Sequence, residues 1–136
     1  MIGLVPATDN RPDGNAYTPG DVIPMHSGKT VEVINTDAEG RMVLADALSY
    51  AKQYDPGLGV DFATLTGSAS RTIGPQGVIA MGNAEGALFE RLEESGRNTY
   101  ERVVELPLWE EYDELIRSDI ADIKNAGGKE AGAIVA

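Results

Sequence analysis

Two acids and an arginine stand at alternate positions, Asp37, Glu39 and Arg41, within the run Asn35-Thr36-Asp37-Ala38-Glu39-Gly40-Arg41. If the chain is extended there, residues two apart project to the same side, so the two carboxylates face together and Ala38 turns away. Paired carboxylates suit a hard or borderline divalent cation, and one carboxylate can bridge two cations. Gly40 gives the backbone freedom for a sharp turn into a following helix. Arg41 then lies at the helix N-terminus, where unpaired N–H groups, the positive dipole end and the guanidinium fork favour a small planar anion. The same residues also have a plainer use: Asp37 as a helix cap and Glu39 as an acid favoured in the first turn. The single histidine, His26, has no carboxylate beside it in the sequence and reads as a loop residue rather than a metal ligand or general base.

The elements that must position this loop follow from the pattern around it. Asp9 to Gly28 is dense in Pro, Gly, Asp and Asn and reads as loop, with turns at Pro12-Asp13-Gly14 and Pro19-Gly20-Asp21. Thr30 to Ile34 is a β-branched run that predicts a strand, with a strand-like segment also preceding His26. Met42 to Gln53 repeats Leu44, Leu48 and Ala51 at helical spacing and is stopped by Tyr54-Asp55-Pro56-Gly57. Val60 to Thr66 predicts a second strand, begun by a structural Asp61 and closed by Gly67-Ser68, and Val78 to Met81 a third. Ala84 to Glu94 predicts a helix with Leu88 and Leu92 on one face and Ser95-Gly96 as its stop. Leu108 to Arg117 predicts another, with Trp109, Tyr112 and Ile116 as its buried stripe. Strands alternating with helices argue for an α/β domain with a largely parallel sheet, whose sites form at the carboxyl ends of strands.

Composition narrows the function classes. The 136 residues suit one domain, and 42% hydrophobic content is enough for a globular core. No cysteine is present, which excludes disulfides and thiolate metal sites. Twenty-two acids against 11 Lys and Arg leave a net charge of −11. That field repels phosphate backbones and anionic lipid, so neither nucleic acid nor membrane is an expected partner, and it attracts cations and cationic substrates. No apolar stretch approaches the roughly 20 residues needed to span a bilayer, and Met1 to Ala7 lacks a signal peptide's basic leader. The apolar run Ala131 to Ala136 has no polar cap, which suggests a piece of something larger.

The run Asn35 to Arg41, continued by Met42-Val43-Leu44-Ala45-Asp46, resembles the signature of the leucyl aminopeptidase family, also called cytosol aminopeptidases. Flanking segments agree in order: Gly14 to Tyr17, Pro19 to Val22 and Ser27 to Val33 before it, then Asp61 to Gly67, Leu106 to Trp109, Ser118 to Asp122 and Gly127-Gly128. The resemblance covers essentially the whole chain. It implies a three-layer α/β/α fold with a mostly parallel central sheet, incomplete here, with residues 1–136 forming part of the catalytic domain.

It also implies a reaction. Two divalent ions, zinc or manganese and in some members magnesium, lie side by side in that family, and a water or hydroxide between them attacks the first peptide bond of a substrate with a free N-terminus. By resemblance Asp37 binds one metal, Glu39 bridges both, and Arg41 holds a bicarbonate ion that takes the water's proton. Thr64, Leu65 and Gly67 match positions that line the substrate cleft, where a buried strand end with a glycine turn explains them equally well. The family's remaining ligands, a lysine and two aspartates, and its second catalytic lysine belong upstream of the matched stretch; Asp9, Asp13, Lys29 and Lys52 do not match them. The expected setting is a cytoplasmic enzyme, hexameric in the family, acting on peptides. The isolated chain is expected to bind metal weakly and turn over little. A non-catalytic anion-binding or oligomerisation module is the alternative.

Overall fold

The computed structural model describes all residues 1–136, and the chain divides into two compact units. The first comprises Met1–Leu65 and Ile116–Gly127, the second Thr66–Leu115 and Gly128–Ala136.

In the first unit, strand β1 (Val22–Pro24) pairs antiparallel with β2 (Thr30–Glu32), and β5 (Ile123–Lys124) lies parallel to β2 on its other side. β1 falls inside the turn-rich stretch Asp9 to Gly28, at the strand-like segment that precedes His26. It is only three residues long, ends in a proline allowed on a sheet edge, and is held by β2 rather than by its own propensity. The turn between the two strands needs Gly28, which adopts φ 86° and donates to the Met25 carbonyl. Beyond the last ladder pair, Val33 still donates to Asp21 O and accepts from Gly20 N, which drives its side chain inward. Val33 is completely buried and packs with Met25, Val31 and Met42, flanked by Tyr17, Ile23 and Ile123. Burial of one such side chain contributes about 1.5–3 kcal/mol.

A 3-10 turn, Thr36–Ala38, runs directly into helix α1 (Glu39–Ala51), which tightens at Lys52–Tyr54 and ends at Asp55 in the left-handed region. The helix thus starts three residues ahead of the predicted Met42. The predicted strand Val60 to Thr66 does not form. A β-branched run becomes a strand by pairing, and no segment of this unit pairs with it, leaving Val60 and Phe62 exposed.

The second unit opens with α2 (Gly67–Ile73), where strand closure by Gly67-Ser68 was expected. Thr66 caps it, its side chain accepting from the Ser68 N–H at 3.1 Å. β3 (Val78–Ala80), α3 (Gly86–Thr99) and β4 (Val103–Glu105) form a parallel β–α–β unit with Val78 opposite Val103. α3 runs through the expected stop at Ser95-Gly96 and ends at Tyr100, φ 66°. Gly96 is inside the helix because the chain returns against it: a Cβ there would lie 2.5 Å from Glu101 O. The buried face is Phe89 and Gly96, one position round from the expected Leu88 and Leu92, and Leu92 is exposed. The expected helix Leu108 to Arg117 is a 3-10 stretch, Glu110–Ile116. Trp109 lies outside it and is 61% exposed rather than buried, stacking on Tyr112 with 5.7 Å between ring centroids. The α/β class with parallel pairing is as the sequence indicates.

Candidate functional site

The loop after β2 owes its shape to two asparagines. Asn35 has extended backbone and its side chain accepts from the Asp37 N–H at 3.0 Å, while its carbonyl accepts from the Ala38 N–H at 3.2 Å. This closes the 3-10 turn and places Glu39 in the first turn of α1. The extended geometry expected for Asp37 and Glu39 is therefore corrected: the two are presented by a tight turn and a helix start. Asp37 is not the cap either, since Asn35 performs that role and Ala38, preceding α1, makes no side-chain cap bond. Glu39 does occupy the first turn, where the dipole favours it.

Gly40 also differs from expectation. It lies in α1 without a positive φ, and its lack of a side chain admits Leu65, whose Cδ2 would be 3.3 Å from a Cβ there. That close approach brings the 64–65 segment beside the acidic turn. Asp37 is exposed, Glu39 and Arg41 are half-buried, Thr64 is exposed and Leu65 half-buried. All five line one broad groove of about 2000 Å³ within the first unit. Gly67 belongs to the second unit, as the first residue of α2, and is not among the groove's lining residues.

The electrostatics follow from partial burial. Desolvation lowers the Arg41 pKa from its ordinary value, though an arginine remains charged at neutral pH. Tyr17, on the groove wall, has its pKa raised, first by burial and then by the negative charge of Glu39. A phenol close enough to feel Glu39 is a neighbour that the sequence did not advertise.

Asn125 was missed as well. It is 2% exposed, directly follows β5, and its side chain bonds three backbone groups of Ile34 and Asn35. The preceding segment is tied to β2 by Ser118 Oγ donating to Glu32 and by Thr30 donating to Asp122 through both N–H and hydroxyl. The Ser118 to Asp122 pattern thereby acquires a physical purpose, which is to seat β5. His26 keeps its loop role: its N–H donates to Asp46 Oδ1 at 2.8 Å and its Nδ1 meets Ser49 Oγ at 3.0 Å, fastening the turn to α1. Asp61 is exposed and outside any strand.

The donor chemistry at Asp37 and Glu39 fits a divalent cation, as oxygen ligands on one loop at the end of a strand. The number of donors falls short, because nowhere does this chain bring three or more His, Cys, Asp or Glu side chains together as a cation site.

The sequence profile of the cytosol aminopeptidase family, catalytic domain, matches residues 1–136. The chain belongs to the cytosol aminopeptidase family. It is 52% identical over 136 residues to a probable cytosol aminopeptidase of Geobacter sulfurreducens and 56% identical over 137 residues to one of Chlorobium luteolum. In both cases all of this chain matches 27% of the relative, so it spans about a quarter of their length. Among solved structures it is similar to a mutant of tomato leucine aminopeptidase, with TM-score 0.88 and 38% identity, covering 94% of this chain and 25% of that one. It is likewise similar to the cytosol aminopeptidase of Coxiella burnetii, with TM-score 0.83 and 40% identity, covering 90% and 27%. No helix is long and apolar enough to cross a membrane.

Proposed function

We propose that this chain furnishes one ligand loop and one wall of the active site of a metal-dependent, cytoplasmic aminopeptidase that releases N-terminal, leucine-type residues from peptides. The observation that carries the reading is the groove shared by Asp37, Glu39, Arg41, Thr64 and Leu65 in a chain of this family. Asp37 would hold one zinc or manganese ion, with magnesium as a further candidate, and Glu39 would bridge two. Ligands beyond this chain's two would complete the centre. When bound, such a metal pair lowers the pKa of water toward about 7 and stabilises a developing oxyanion.

The chain's own residues have separable tasks in this reading. Arg41, half-buried at the third position of α1, would hold a bicarbonate with its planar fork and the helix N-terminal field, and that anion would supply a base beside the scissile bond. Thr64 and Leu65 align the substrate's free amino end and its first carbonyl through their backbone groups. Leu65 is steadied against the bare face of Gly40. Gly67 is assigned to the substrate cleft by family resemblance alone. Assembly into a hexamer belongs to the same proposal.

A chimera tests it: this chain replaces the matching segment of the Geobacter sulfurreducens relative, and leucine amide hydrolysis is followed with added manganese. Turnover is expected, with Glu39→Gln reducing it by at least the roughly 10–100-fold that even an outer-shell partner of a metal commands. A folded chimera carrying Glu39→Gln at full turnover overturns the reading. The chain alone, with manganese or zinc, is expected to hydrolyse leucine amide at close to the background rate. Robust turnover by it, lost on Glu39→Ala, would show that the two carboxylates suffice.

A further inference from the structure

Asn125 stands at the carboxyl end of β5, beside the end of its parallel neighbour β2, where sites in α/β sheets gather. Its own N–H continues the ladder to Glu32 O at 2.9 Å. Its side chain does something a strand cannot. Oδ1 accepts from Ile34 N at 2.8 Å and from Asn35 N at 3.2 Å, while Nδ2 donates to Asn35 O at 2.7 Å and touches Met42 Sδ at 3.7 Å. One planar amide thus holds two N–H groups and a carbonyl of Ile34 and Asn35 after the chain has left the sheet. Asn35, so held, passes the constraint on through its side chain to Asp37 N and its carbonyl to Ala38 N.

We infer that Asn125 is a positioning residue for the acidic loop: it fixes the turn from which Asp37 and Glu39 reach a cation. The inference rests on the assignment of those two acids as metal ligands. A burial of 98% with three backbone partners is more than packing requires, because an apolar side chain would fill the volume, take the acceptor from the Ile34 and Asn35 N–H groups, and leave the Asn35 carbonyl with its Ala38 bond alone. A carboxamide supplies, without a change of protonation, an acceptor for two N–H groups and a donor for a carbonyl from the same plane.

The test uses the full chain and two variants. Asn125→Leu removes every polar contact; Asn125→Asp keeps the shape and the acceptor and loses the donation to Asn35 O. Amide hydrogen exchange is read at Asp37 and Ala38, and Mn²⁺ binding is read as paramagnetic broadening of amide resonances around residues 37–39. Ser118→Ala, which breaks a different bond to β2, is the control for a merely structural role. Both Asn125 variants are expected to speed exchange at Asp37 and Ala38 and to weaken Mn²⁺ broadening roughly 10–100-fold. Ser118→Ala is expected to do neither at equal distance from its melting point. Unchanged exchange in both variants overturns the inference, as does faster exchange with Mn²⁺ broadening intact. Where the unsubstituted chain shows no Mn²⁺ broadening near residues 37–39, as its two donors alone allow, exchange at Asp37 and Ala38 decides the clamp by itself, and unchanged exchange overturns it.

Discussion

Two glycines in α3 should respond to alanine with opposite signs. At Gly86, in the first turn, a Cβ meets nothing within 4 Å, and the backbone is helical without strain. At Gly96, in the last turn, the Cβ would stand 2.5 Å from Glu101 O and 3.3 Å from Val103 Cγ2. Glu101 cannot retreat cheaply, because Tyr100 before it holds a left-handed turn and Arg102 O after it accepts from Val78 N at 2.9 Å. Overpacking of this kind costs about 1–3 kcal/mol, and contact with backbone rather than a pliable side chain puts it near the upper end. Against that, alanine in a helix gains roughly 1 kcal/mol over glycine. The net expectation for Gly96→Ala is a loss of about 2 kcal/mol, and for Gly86→Ala a gain of about 0.4–1 kcal/mol. Urea melts of the two variants and the parent, followed by circular dichroism at 222 nm, measure both. A Gly96→Ala chain as stable as the parent would refute the close approach. Equal destabilisation by both substitutions would refute the Cβ contact as its cause.

Asn35→Ala removes the acceptor for the Asp37 N–H and is expected to cost about 1 kcal/mol, with Asn35→Asp near neutral because the cap oxygen remains; urea melts distinguish the two. Asp122 has its pKa lowered, chiefly by the Thr30 N–H and then by the Thr30 hydroxyl, so its contribution is present above the unfolded value of about 3.9 and disappears as pH falls through the folded one. Asp122→Asn should therefore lower the melting temperature at pH 7 and converge with the parent in acid; a constant gap down to the most acidic pH would contradict that.

The sequence disclosed elements whose pairing and chemistry are local. The β2 run, β3 and the body of α1 are visible because branched residues and a 3.6-residue repeat coincide with where partners exist. Val60 to Phe62 misled because propensity speaks of a pleated surface and not of an available neighbour. Gly96 misled because a glycine that ends a helix and one that admits a returning chain look the same in one dimension. At the site, the acids and the arginine were legible by type and spacing, whereas their backbone was not. Whether Asp37 lies on extended chain or in a 3-10 turn depends on Asn35 and Asn125, and the second of these is 90 residues away from the first. Tyr17 was hidden for the same reason, since its nearness to Glu39 is tertiary.

That separation has a temporal side. A polypeptide grows from its N-terminus at about 5–20 residues per second, so the Asn35 turn emerges roughly 5–20 s before Asn125 can reach it. In that interval the turn has only its own short-range bonds, and closing so long a loop costs entropy that local contacts do not refund. The acidic loop is thus among the last parts of the first unit to acquire its final form, although it is made well before Asn125. A cation present during synthesis meets two mobile carboxylates before it meets a site.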